Sequence, residues 1–128
     1  MTNSSNLIDS LEVYVLNNPD DVKPHWVSHF IVPTANELLI KIKNKNGNSG
    51  FGLATSYSDI SPIIKPFSNG LQDFIIGQDP FCPEKIYESI SKLTDTRISS
   101  EKGWSKEALI RISAALDIAC WDLMGKSS

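Results

Sequence analysis

Hydrophobic and polar residues alternate with a period of two in the first half of the chain, and with a period near three and a half in the second. Over residues 8–16 and 37–44 apolar side chains occupy alternate positions, which predicts two β-strands. Asn46 and Gly47 favour a tight turn, and a third strand is predicted over residues 50–56. We therefore expect a three-stranded antiparallel meander with a long first connection.

The helical period begins after the third strand. A first helix is predicted over residues 61–77, which start with Ser-Pro and end in glycine. A second is predicted over residues 83–92, followed by a polar loop over residues 94–103. The last helix is predicted over residues 105–124, with Gly125 as its stop. Its apolar stripe comprises Leu109, Ile112, Leu116, Ala119 and Leu123. Strands followed by a small helical bundle predict an α+β fold.

Length and composition restrict the class of protein. The chain has 128 residues, of which 41% are hydrophobic and 21% are charged. These values are typical of one globular domain and not of a disordered chain. A complete (β/α)₈ barrel is excluded, because that fold typically needs about 250 residues. No run approaches the ~20 apolar residues of a membrane span, so no membrane partner is expected.

Charge and cysteine content restrict the expected binding partners and the expected cellular compartment. The chain carries 15 acidic and 12 basic residues, a net charge of −3, and its lysines are spread along the sequence. Because no basic cluster is available to neutralise phosphates, nucleic acid is not an expected partner. The polar N-terminus shows no secretory signal. We therefore expect a cytoplasmic protein in which Cys82 and Cys120 are reduced thiols.

The last predicted helix contains a recognisable motif. Residues 113–126 read Ser-Ala-Ala-Leu-Asp-Ile-Ala-Cys-Trp-Asp-Leu-Met-Gly-Lys. This segment resembles the first signature of the mandelate racemase/muconate lactonizing enzyme group of the enolase superfamily. That signature has small residues, an aliphatic-Asp pair, an aromatic-Asp pair and Gly-Lys. Cys120 departs from it, because the family more often has Ala or Leu there. Shorter matches at residues 33–35, 50–52 and 77–80 extend the resemblance over almost the whole chain.

The resemblance implies a fold and a domain organisation. Residues 8–126 are expected to form the N-terminal capping domain, a three-stranded meander with a small helical bundle. Residues 1–7 are expected to be a disordered polar segment, and residues 127–128 the start of a truncated link to a missing C-terminal domain. In the family that domain is a (β/α)₇β barrel, which holds Mg²⁺ and the catalytic bases. No catalytic or metal-binding residue is therefore expected in this chain.

Substrate-binding residues are expected on two loops that the family folds over the barrel mouth. Tyr57 follows the third strand and offers a ring and a hydroxyl to a polyol acid. His25, Trp26 and His29 lie in the long first connection. For each of these three, ordinary loop packing is about as good an interpretation as substrate contact. A metal site at the two histidines is not favoured, because no further ligand completes a tetrahedral set.

Four charged residues receive structural interpretations. Asp117 and Asp122 lie five positions apart on the last helix, so they do not share a face. Both are interpreted as hydrogen-bonding groups at the domain junction. Arg97 is interpreted as a solvated loop residue, although it could bind a carboxylate. Arg111 is interpreted as pairing at the domain interface.

The leading functional hypothesis follows from the resemblance. The chain is interpreted as the capping domain of a Mg²⁺-dependent lyase or isomerase, closest to the acid-sugar dehydratases. The intact enzyme would remove the proton α to a carboxylate and expel a β-hydroxyl as water, and it could form a homo-oligomer. The isolated chain is expected to be inactive. The alternatives are a stand-alone binding module and a truncated product without a function of its own.

Overall fold

An antiparallel sheet with helices packed on one face makes up the part of the chain that the structure describes. The computed structural model describes residues 4–16, 25–27, 30–32, 36–56, 61–94 and 97–127. The strands are β1 (Ile8–Leu16), β2 (His25–Val27), β3 (Phe30–Val32), β4 (Asn36–Asn44) and β5 (Ser49–Ser56). The helices are α1 (Ser61–Ser68), α2 (Pro83–Leu93), α3 (Arg97–Lys102) and α4 (Lys106–Ser127). The predicted α+β fold is confirmed. None of the described helices has the length and apolar character needed to span a membrane.

The main sheet has the order β1-β4-β5, with both neighbouring pairs antiparallel. Its inner face is formed by alternate residues of β4, and Leu38, Ile40 and Ile42 are fully buried. The turn between β4 and β5 is built as predicted, because Gly47 takes a φ of 88° and donates its N–H to the carbonyl oxygen of Asn44 at 3.2 Å. The alternation of the sequence therefore sets which face of the sheet is buried.

Helix α4 packs directly on the backbone of β5. A Cβ atom at Gly52 would collide with the carbonyl oxygen of Ala115, and one at Gly50 would collide with that of Ala119. Only glycine leaves room for a helix at this separation. The predicted apolar stripe of α4 is buried here, and the helix also contacts α1, α2 and β4. The core is thus assembled around α4.

The described part of the N-terminal segment contacts the β4–β5 turn. Ser4–Asn6 form a 3₁₀ turn next to the β4–β5 turn. The backbone N–H of Lys45 donates to the carbonyl oxygen of Ser5 at 3.1 Å, and the side chain of Asn46 donates to that of Asn6 at 2.8 Å. These bonds fix the described part of the segment.

Three helical predictions require correction. The helix expected over residues 61–77 is divided, because Gly70 takes a left-handed φ of 93° between α1 and the 3₁₀ segment Leu71–Phe74. The loop expected over residues 94–103 contains α3, a helix that the polar composition of this segment did not indicate. Gly125 does not end α4, which continues through Ser127. The first connection also differs, since it includes the short β2–β3 pair.

Candidate functional site

One face of α4 is apolar and uncovered by the described residues. Ile110, Ile118 and Trp121 are 49%, 53% and 62% exposed, and Ala114 between them is also exposed. These positions recur at helical spacing and therefore form one stripe, which we call the α4 outer stripe. Exposed apolar surfaces of this kind mark contact sites for other protein surfaces.

A groove runs beside this stripe, between α2 and α4. It has a volume of about 350 Å³, and its walls are Pro83, Glu84, Tyr87, Ser113, Ala114, Asp117 and Trp121. Tyr87 is 52% exposed, so an aromatic ring stands on each side of the groove. Each helix also contributes one carboxylate, one turn away from its aromatic residue. We call this feature the α2–α4 groove.

The groove is negatively charged. Neither Glu84 nor Asp117 forms a hydrogen bond or ion pair with another residue in the described part of the chain. Burial, and then the charges of Asp117 and Asp79, raise the pKa of the neighbouring Cys120 thiol to about 12. The structural hydrogen bond expected for Asp117 is therefore not found among the described residues.

Asp122 hydrogen-bonds a backbone group as expected, but that group belongs to this domain. Its Oδ2 accepts the backbone N–H of Phe51 on β5 at 2.9 Å and an ion pair from Lys126 at 2.9 Å. The Lys126 ammonium also lies 4.9 Å from the centroid of the Phe51 ring. The hydrogen bond from Lys126 and then that from Phe51 lower the pKa of Asp122. These contacts fasten the C-terminal half of α4 to the sheet.

Arg111 fastens the other end of β5 to α4. Its Nη1 donates to the carbonyl oxygen of Thr55 at 2.6 Å, and its Nε and Nη2 donate to Oε1 of Glu107 at 3.2 and 3.1 Å. The residue expected to pair across a domain interface therefore pairs within this domain. Thr55 stands two positions before Tyr57, so Arg111 fixes the strand from which that loop departs.

The substrate-binding candidates are only partly located. His25 and Trp26 lie in β2, where their backbones pair with Val32 and Ile31 of β3. His29 and Tyr57 lie outside the described residues. Arg97, expected in a loop, begins α3 and forms an exposed ion pair with Glu101 at 2.9 Å.

The described residues do not make a metal site. Among them no group of three or more His, Cys, Asp or Glu side chains is arranged to hold an ion. The described residues therefore offer no ligand set for the magnesium that the family resemblance implies.

Sequence reasoning missed the α2–α4 groove. Its walls come from helices that are distant in sequence, and nothing in the local pattern shows which faces meet. The sequence signal that could have indicated the groove is a carboxylate one helical turn from an aromatic residue. It occurs as Glu84 and Tyr87 on α2 and as Asp117 and Trp121 on α4.

Comparison with known proteins decides the family. Residues 10–128 match the family described as Mandelate racemase / muconate lactonizing enzyme, N-terminal domain. The chain belongs to this family. No curated protein matches this N-terminal domain.

Solved structures share the fold of this mandelate racemase/muconate lactonizing enzyme N-terminal domain. A Sinorhizobium meliloti protein proposed to be an isomerase is 26% identical, with a TM-score of 0.71, and the match covers 96% of this chain and 33% of that one. An enolase-superfamily member from Agrobacterium tumefaciens is 21% identical, with a TM-score of 0.71 and coverages of 95% and 35%. A Streptomyces coelicolor racemase with bound magnesium is 22% identical, with a TM-score of 0.70 and coverages of 93% and 32%. The chain thus spans about a third of each of these proteins.

Proposed function

We propose that this chain is the substrate-capping and specificity domain of a magnesium-dependent enolase-superfamily enzyme, and that it acts with a C-terminal (β/α)₇β barrel. The observation that carries the proposal is the family match over residues 10–128 in a chain that spans about a third of its structural neighbours. The larger part of each neighbour therefore lies outside the region that this chain matches.

The α4 outer stripe supports a docked domain. Ile118 and Trp121 belong to the family signature and are more than half exposed. Large exposed apolar side chains grouped on one helix face favour burial against another surface, because each buried Å² contributes roughly 25 cal/mol. The stripe would therefore be covered by the barrel.

We assign substrate contact to the connection after β1, which includes β2, and to the loop after β5. We assign Tyr57, His25, Trp26 and His29 as the residues that reach the substrate. Arg111 supports this assignment for Tyr57, since its bond to Thr55 anchors the strand end from which the loop starts. A phenol at this place could donate a hydrogen bond to a hydroxyl of an acid sugar.

The reaction proposed for the intact enzyme is dehydration of an acid sugar. A base on the barrel removes the proton α to the substrate carboxylate, and the β-hydroxyl leaves as water. Magnesium, as bound by the Streptomyces racemase, belongs in this proposal to the barrel. The free thiols Cys82 and Cys120 suit a reducing, cytoplasmic location.

Solvent exchange in D₂O tests the proposal. The nucleotide sequence beyond the codon for Ser128 is examined for a barrel in frame, and the longer chain is incubated with a panel of acid sugars. We expect loss of the α-proton signal in ¹H NMR and formation of a 2-keto-3-deoxy product that carries solvent deuterium at C3, and we expect chelation to abolish both. We also expect no exchange by the 128-residue chain alone, even with Mg²⁺.

The outcomes separate the alternatives. Exchange with racemisation in place of dehydration would retain the capping role and overturn the dehydratase assignment. Metal-dependent turnover by the 128-residue chain alone would overturn the assignment of catalysis to the barrel and of substrate capping to this domain. A coding sequence that holds no barrel would favour a stand-alone interaction module.

A further inference from the structure

The α2–α4 groove has a chemistry that the capping role does not require. Two exposed aromatic rings, Tyr87 and Trp121, flank a space of about 350 Å³. Two carboxylates, Glu84 and Asp117, enter the same space without an ion-pair partner among the described residues. An apolar partner alone would bury these charges uncompensated, which is strongly unfavourable. A surface that covered the groove would therefore need to bring positive charge.

The net charge of the groove favours a cation as its ligand. The N-terminus of α2, at Pro83 and Glu84, carries about half a positive charge from the helix dipole. The two carboxylates contribute two negative charges, and none of the lining residues is basic. The groove therefore remains net negative. In contrast, Glu107 and Asp122 on the same helix α4 already have basic partners.

The arrangement of the groups selects one kind of cation. Each helix places a carboxylate and an aromatic ring one turn apart, so their Cβ atoms are separated by about 5–6 Å. A planar guanidinium can stack on an aromatic ring while its N–H groups bond a carboxylate in the same plane. An ammonium group has no flat face to stack, and it is more strongly hydrated. Arginine fits both features.

We propose that the α2–α4 groove binds an arginine side chain of the domain that docks on the α4 outer stripe. This inference rests on the proposed function, because the arginine belongs to the expected barrel. The groove is continuous with the stripe, since Trp121 and Ala114 belong to both. One docking event therefore covers the apolar stripe and inserts the arginine beside it.

The first test uses the 128-residue chain with a small probe. Nα-acetyl-arginine methylamide is titrated into ¹⁵N-labelled chain at a concentration where it sediments as a monomer, and amide and indole shifts are followed. We expect saturable shifts at Asp117, Tyr87 and the Trp121 indole. The lysine analogue should bind more weakly, and the neutral citrulline analogue should give no saturable shift. Equal binding of citrulline, or no saturable arginine binding, would overturn the inference.

Charge-neutral variants locate the binding. Glu84→Gln and Asp117→Asn should each weaken arginine binding roughly tenfold, because each removes one charge-assisted hydrogen bond. Glu88→Gln is the matched control, since Glu88 is an exposed carboxylate of α2 that does not line the groove. Its binding constant should equal that of the unchanged chain. An equal effect of all three substitutions would show a general charge effect and would contradict the proposed site.

A second arm identifies the source of the arginine. In the longer chain with its barrel, Asp117→Asn and one barrel arginine→glutamine variant should lower the free energy of unfolding non-additively. If no barrel arginine couples to Asp117 although α-proton exchange occurs, this inference fails and the proposed function stands. If Arg97→Gln abolishes self-association of the 128-residue chain, a second copy occupies the groove and the barrel assignment is overturned.

Discussion

At the scale of single residues, two carboxylates of α4 have opposite environments. Asp122 accepts bonds from Phe51 and Lys126, whereas Asp117 forms neither a hydrogen bond nor an ion pair within the described part of the chain. They are five residues apart and therefore about 140° apart around the helix. Asp122 faces the sheet of its own domain, and Asp117 enters the groove that we assign to a partner.

The Asp122 contacts predict a pH-dependent contribution to stability. Because folding lowers the pKa of Asp122, its contribution is present above the unfolded pKa, which is about 3.9. The contribution is lost as pH falls through the lower, folded value. Asp122→Asn should therefore lower the free energy of unfolding by about 0.5–1 kcal/mol at pH 7, as for an exposed ion pair. The difference between the two proteins should therefore become smaller as the pH falls from 7 toward 2.

Urea denaturation at both pH values measures this difference. Glu88→Gln serves as the control, because Glu88 is exposed and forms no ion pair with the described residues. A deficit of Asp122→Asn that is the same at pH 7 and pH 2 would contradict the electrostatic explanation.

The cysteines should differ in reactivity. Cys120 is fully buried, and its pKa is raised to about 12, mainly by burial. Only the thiolate reacts, so iodoacetamide at pH 8 should modify the folded chain at Cys82 and leave Cys120 intact. Mass spectrometry should show one adduct on the folded chain and two in denaturant. Two adducts of the folded chain at comparable rates would mean that the packing around Cys120 opens readily.

At the scale of secondary-structure elements, the contact of α4 with β5 depends on glycine. Gly52→Ala would place a methyl group against the carbonyl oxygen of Ala115, a backbone atom that cannot move without moving the helix. We expect a loss of about 2–4 kcal/mol in the free energy of unfolding, above the usual cost of overpacking. Chemical denaturation measures the loss, and circular dichroism shows whether the variant retains its helices.

Gly125→Ala is a matched control for this substitution. Gly125 also lies in a regular element, α4, but a Cβ there meets nothing within 4 Å. Because alanine favours the helix, this variant should be neutral or more stable by up to about 1 kcal/mol. Similar losses for both glycine variants would show that the close approach of helix and strand is not what destabilises Gly52→Ala.

The elements were predictable where one physical rule decided them. Alternation predicted β1 and β4 to within one residue, since a sheet with one buried face requires it, and the Asn46-Gly47 turn predicted β5. Ser105 was predicted near the start of α4, and its hydroxyl accepts the N–H of Ala108 at 3.0 Å. The helix predictions were wrong where two physical tendencies of the sequence oppose each other. A left-handed Gly70 divides one helix, whereas α4 continues past Gly125, where Lys126 forms an ion pair with Asp122.

The site was predictable only through its motif. The signature on α4 indicated the family, and the bond of Asp122 to the sheet agrees with its structural interpretation. The groove depends on which faces of α2 and α4 meet, and periodicity within each helix contains no such information. The assignments of Tyr57, His25, Trp26 and His29 stay predictions.

At the scale of the whole molecule, the α4 outer stripe should make the 128-residue chain associate with itself. Ile118 and Trp121 are more than half exposed, and no described residue covers them. Ile118→Glu or Trp121→Glu should shift the chain toward monomer, because a charge on the stripe opposes its burial. Sedimentation velocity over a concentration series measures the change.

An apolar residue on another surface provides the comparison. Leu53 lies on the outer face of the sheet and is 46% exposed, close to the value for Ile118. Leu53→Glu should leave self-association unchanged if the stripe is responsible. A chain that is monomeric at high concentration without any substitution would contradict both this prediction and the need for a covering domain.

The sequence separation of α4 from the strands on which it packs has a consequence for the order of folding. The meander can form from neighbouring strands, but its inner face, with Ile40 and Ile42, contacts a helix that begins at Lys106. At synthesis rates of about 5–20 residues per second, the roughly 50 residues between β5 and α4 take about 3–10 seconds to emerge. During that interval the nascent sheet exposes its apolar face. Contacts of such long sequence separation form late. We therefore expect the nascent chain to need chaperones during this interval.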